Sequence, residues 1–153
     1  MRRIYALIVL FGLPLAAAGE SLPDGGVTAP EVASALKNAG YPADIIADRA
    51  GEPSIRSSTG KVLFIVHFYQ CGTTLRCASI EFAAASRRKG VTQASIAAWN
   101  REKRFGRAFL DKSGMASVAM DVETSRGMTS DALEANISRW ITVLNAFEVS
   151  FAG

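Results

Sequence analysis

Histidine is almost missing from this chain of 153 residues: His67 is the only one. That removes the paired-histidine metal sites and the H-E-x-x-H pattern. Cysteine is nearly as scarce. Cys71 and Cys77 are the only two, and the five residues between them exclude a C-x-x-C redox motif. Two thiols and one histidine outside their spacing also make a poor zinc set. No serine sits in a G-x-S-x-G elbow, and neither a Walker loop nor a glycine-rich phosphate loop follows a candidate strand. No internal repeat or low-complexity tract is present. These gaps argue against metal, dithiol, serine-hydrolase and nucleotide chemistry, and no cofactor is expected.

Long apolar runs are missing too. The N-terminal run, Ile4 to Leu15, has twelve residues, whereas a bilayer core needs roughly 20. It follows the basic pair Arg2-Arg3, is broken late by Gly12 and Pro14, and ends at Ala16-Ala17-Ala18, a small-x-small cleavage pattern. Residues 1–18 therefore read as a signal peptide, and the mature chain as periplasmic or secreted, with no stable membrane insertion after cleavage. No cysteine follows the cleavage site to take a lipid anchor. The full chain carries 17 basic and 14 acidic side chains, a net charge of +3. Without Arg2 and Arg3 the balance falls to 15 against 14, near +1. A body so close to neutral does not call for nucleic acid as a partner. Export also gives the cysteines a purpose. In an oxidising compartment Cys71 and Cys77 are expected to form a disulfide, contributing about 2 kcal/mol for so short a loop. The alternative is a pair of buried thiols.

Past a lead-in at residues 19–27, read as flexible, the local signals are sharp. Thr28 and Glu31 form a T-x-x-E capping box with Pro30 in the first turn, and Val32, Ala35, Leu36 and Ala39 make the apolar stripe of a helix that ends at Gly40. Strands are expected at Ala43 to Arg49, Ser54 to Ser58, Val62 to Tyr69 and Ala78 to Ala84. Val62 to Tyr69 is apolar on both faces, which predicts a central strand. A second helix starts at the N-cap Thr92, buries Ile96 and Trp99, and ends near Arg104. Strands at Arg107 to Asp111 and Met115 to Glu123 follow. A last helix, Thr129 to Phe147, carries Leu133, Ile137, Trp140, Leu144 and Phe147 along one seam. The order αββββαββα with short turns between strands predicts an α+β domain, an antiparallel β-sheet with packed helices. It makes a single domain over residues 28–153.

The stretch Trp99-Asn100-Arg101-Glu102-Lys103-Arg104-Phe105-Gly106-Arg107-Ala108-Phe109-Leu110-Asp111 resembles the signature of the YbjN family. There a tryptophan-asparagine pair ends a helix, and an arginine-phenylalanine leads into a strand that closes on an acidic residue. The apolar strands before it and Trp140 in the last helix fit as well, so the resemblance covers about Val32 to Phe147. It implies a fold like that of the type III secretion chaperones, a role as a sensory-transduction regulator, no catalytic activity, and a homodimer as one possibility. Cytoplasmic members need neither a signal peptide nor a cysteine pair, so both features here point to an exported branch.

The residues of that stretch also have a physical reading. Trp99 anchors the helix to the sheet, Asn100 is suited to tying the helix end to a neighbouring segment, and Phe105 and Phe109 are expected in the core on either side of Gly106. Arg101, Lys103, Arg104 and Arg107 place four cations within seven residues. They are either a solvated face or the docking site of an acidic partner, and they are the candidate partner-binding residues. His67 shares a strand face with Leu63, Ile65 and Tyr69, and reads as a hydrogen-bonded structural histidine rather than a general base. Three functions follow: a non-catalytic protein-binding or regulatory module of the envelope, a small-ligand binder using the sheet or the space beneath the last helix, and a hydrolase using His67.

Overall fold

The computed structural model describes residues 19–47 and 52–151. The expected signal peptide lies outside them, as does the continuation of the first strand to Arg49. The elements run α1 (Ala29–Asn38), β1 (Ala43–Ala47), β2 (Pro53–Ser58), β3 (Leu63–Cys71), β4 (Cys77–Ala85), α2 (Gln93–Glu102), β5 (Arg107–Leu110), β6 (Ala116–Glu123) and α3 (Ser130–Phe151). This is the expected order. The strands form one antiparallel sheet ordered β1-β2-β3-β4-β6-β5, so β3 and β4 lie at its centre.

The helices all pack on one face. Alternate strand residues point into it: Ile55, Phe64, Val66, Phe68, Ile80, Phe82, Val118, Met120 and Val122 are buried with Val32 and Leu36 of α1, Ile96 and Trp99 of α2, and the seam of α3. Trp140 is the centrepiece. It stacks on Phe82 with ring centroids 5.6 Å apart and meets Phe64 edge-on at 5.8 Å. The last helix runs four residues past Phe147, because a further turn buries Phe151 against Phe147 and Trp99.

Both N-caps form as their sequences demand. Thr28 and Glu31 close the box at α1, and Thr92 accepts from the Ser95 amide at α2. The lead-in is docked rather than flexible. Ser21 bridges to Thr129, the Leu22 amide donates to the Met128 carbonyl at 2.8 Å, and Val27 pairs with Cys77 and is fully buried. Cys71 and Cys77 face each other across the β3–β4 hairpin and are joined by the disulfide. Between them Arg76 turns inward. Its guanidinium donates to Glu31 Oε1 at 2.6 Å and to the Gly26 carbonyl at 2.7 Å. The stapled hairpin thus holds both the lead-in and the capped start of α1.

Among the described residues no helix packs on the opposite sheet face. The apolar outer residues of β3 fit a central strand, but they are not covered: Leu63 is 59% and Tyr69 46% exposed. No helix among the described residues is long and apolar enough to cross a membrane.

Candidate functional site

The segment from α2 to β5 is built around three close fits. Trp99 is buried at the end of α2, edge-on to Phe147 at 6.2 Å. Asn100, one residue on, receives the Ala108 amide on Oδ1 at 2.8 Å and donates Nδ2 to the Ala108 carbonyl at 2.9 Å. Its side chain thereby satisfies both backbone groups of Ala108 on an edge strand. Gly106 lies between them, against Val143, Val118 and Trp99, so tightly that a Cβ there would collide with Val143 Cγ1.

That fit decides the fate of Phe105. The backbone must come in at Gly106, and Phe105 takes up the turn in the left-handed region, at φ 72°. Its ring is therefore thrown outward and is 60% exposed. This corrects the expectation that Phe105 and Phe109 flank Gly106 inside the core. The Arg104 guanidinium lies 5.1 Å and that of Arg139 4.9 Å from the Phe105 ring centroid. Arg139 comes from α3, where it also donates to Asn136 Oδ1. Nothing in the spacing of the motif signalled it, because it joins the cluster only through tertiary packing.

The four candidate cations do not stay together. Arg101, Lys103 and Arg104 are exposed around the end of α2 and have no ion-pair partner among the described residues. Arg107 points to the outer sheet face. It donates to Glu81 Oε2 at 2.7 Å, reaches Asp121 at 3.6 Å, and lies over the Phe109 ring at 5.3 Å. Phe109 is half-buried on that same face, not in the core.

The outer face also holds His67. In register, Ser54, His67, Glu81 and Asp121 form one row across β2, β3, β4 and β6. A Ser-His-Glu order invites a catalytic reading, but a nucleophile and its base must lie within hydrogen-bond reach. No hydrogen bond joins His67 to either neighbour among the described residues, which also sets aside the hydrogen-bonded histidine expected from sequence; its ring lies 6.4 Å from that of Tyr69. Tyr69 donates to Glu81 at 3.4 Å, and partial burial together with the Glu81 charge raises its hydroxyl pKa. Among the described residues no group of three His, Cys, Asp or Glu is placed to hold a metal ion. Of the other strand-end carboxylates, Asp111 accepts from the Ser113 hydroxyl and from the Ser113 and Met115 amides, which lower its pKa and shape the β5–β6 turn.

The α2–β5 connection, with its Trp-Asn pair, outward Arg-Phe and following strand, falls within a family match that spans residues 28–152, described as "Putative bacterial sensory transduction regulator". The chain belongs to the YbjN family. No curated protein matches it. The YbjN match begins at the α1 N-cap and takes in every helix and strand among the described residues.

Proposed function

We propose that this YbjN domain is an exported, non-catalytic regulatory module that docks an acidic segment of an envelope protein. Phe105 carries the reading. It is a large aromatic ring held in solvent, in a backbone conformation that costs a non-glycine residue about 1–2 kcal/mol. A connection that only had to join α2 to β5 would be met more easily by glycine or asparagine. The ring positions Arg104 and Arg139, and Arg101 and Lys103 add charge at the rim. Both guanidinium groups lie over the ring; Arg139 gives one N–H to Asn136, while those of Arg104 make no hydrogen bond among the described residues and are left for carboxylates. Arg107 contributes by orienting β5 rather than by meeting the partner.

A photo-crosslinking residue at position 104 of the exported protein tests this. The expected result is one recurrent envelope protein, whose capture is competed by a synthetic acidic peptide and lost on Arg139→Glu. Capture that survives both would overturn the reading. Export itself is tested by sequencing the N-terminus of the protein from the periplasmic fraction. A start at residue 19 is expected, and an intact Met1 in the cytoplasm would count against it. Nucleic acid is not the proposed partner, because the exported body is almost neutral.

A further inference from the structure

A cavity of about 340 Å³ opens where the start of β3, the exit of β4 and the last turns of α3 meet. It shares no residue with the Phe105 surface. Val62 and Phe147 give it apolar walls, with Leu63 at its rim, and three charges line it: Lys61, Arg87 and Glu148. Its frame is secured. The Ser86 hydroxyl donates to the Phe151 carbonyl and accepts from the Arg88 amide at 2.9 Å, while the Ser86 amide donates to the Ala116 carbonyl at 2.8 Å. The end of α3 is thereby tied to the β4 exit, and the wall bearing Phe147 and Glu148 is set against the one bearing Arg87.

The charges are not paired with one another. Among the described residues Lys61, Arg87 and Glu148 form no ion pair, although they line one small space. A purely anionic ligand would meet Lys61 and Arg87 but also the Glu148 carboxylate. A purely cationic one would meet the reverse. A neutral apolar ligand would use the apolar walls and none of the three charges, of which Lys61 and Arg87 are exposed and Glu148 is half-buried. The combination that suits the whole lining is a carboxylate, an ammonium and an apolar side chain in one small molecule. The volume falls at the small end of ligand cavities, about 300–1,000 Å³. We infer that this cavity binds a zwitterion with an aliphatic or aromatic side chain, an apolar amino acid or a short apolar peptide. Lys61 and Arg87 take its carboxylate, Glu148 takes its ammonium, and Val62 and Phe147 take the side chain.

Isothermal titration of the purified chain with four probes tests this: L-leucine, the dipeptide leucyl-leucine, N-acetyl-leucine without the ammonium, and isoamylamine without the carboxylate. Binding is expected for at least one zwitterion, with both single-charge analogues weaker by about tenfold or more, the equivalent of one charge-assisted hydrogen bond. The first two probes separate a free amino acid from a peptide. Glu148→Gln should weaken the bound zwitterion to a similar degree and leave the thermal midpoint unchanged, since the side chain makes no ion pair among the described residues. No heat from either zwitterion, equal binding of N-acetyl-leucine, or full affinity in Glu148→Gln would each overturn the assignment.

Discussion

Phe105 and Asn100 sit five residues apart, and substitutions there should act in opposite ways. Phe105→Asn places a residue that tolerates positive φ at a strained, exposed position and removes two cation–π contacts, each worth about 0.5–1 kcal/mol at an exposed site. These effects nearly cancel, so denaturant midpoints should move by less than about 1 kcal/mol while partner capture is lost. Asn100→Ala leaves both backbone groups of Ala108 without their protein partners, and should lower stability by about 1–2 kcal/mol in the same measurement. Asp111 supplies a pH signature. Its pKa is depressed in the folded state by the Ser113 hydroxyl and the Met115 amide, so the stability it contributes is present above the unfolded carboxylate value and is lost as pH falls through the folded one. Acid unfolding curves of the protein and of Asp111→Asn should therefore differ at neutral pH and converge at the acid end.

At the level of elements, the turn between α2 and β5 is set by the approach of Gly106 to Val143. Gly106→Ala should cost about 1–3 kcal/mol by overpacking, and Val143→Ala in the same chain should recover part of that, a coupling that a double-mutant cycle reads directly. The disulfide hairpin makes a second prediction. Cys71→Ser should lower stability by about 2 kcal/mol under oxidising conditions and by much less in reductant; equal effects in both would mean that the crosslink itself contributes little. The helices were readable because their signals are local: Thr28 with Glu31, Thr92, Gly40, and the spacing from Leu133 to Phe147. The antiparallel pairings of β1 to β4 and of β5 with β6 followed from short turns, but the place of β6 beside β4 did not. What could not be read were features set by contacts between distant segments. A hydrophobicity argument puts Phe105 inside, and only the fit of Gly106 on α3 turns it out. Arg107 looks like its neighbouring cations in sequence, yet strand alternation sends it to Glu81 and Asp121. The lead-in has a loop's composition, but Val27 is buried because Arg76 and the Cys77 backbone reach it from about 50 residues away.

Among the described residues the helices cover one side of the sheet, and this bears on how copies could associate. Leu133, Ile137, Trp140, Leu144 and Phe147 are all buried in the chain's own core, so the long seam of α3 is not available for a homodimer. If copies pair through the outer sheet face, where Tyr69 is 46% exposed, Tyr69→Lys should convert a dimeric mass in light scattering to a monomeric one. The sheet's two ends raise a different concern. A free edge strand can template another chain, and natural proteins shorten or block such edges. Here β5 is four residues long, and the Asn100 amide occupies the backbone groups of Ala108 that an incoming strand would need. Asn100 then does more than end a helix: it blocks part of an edge of the sheet, and a chain lacking that amide should form aggregates before it loses its native fold.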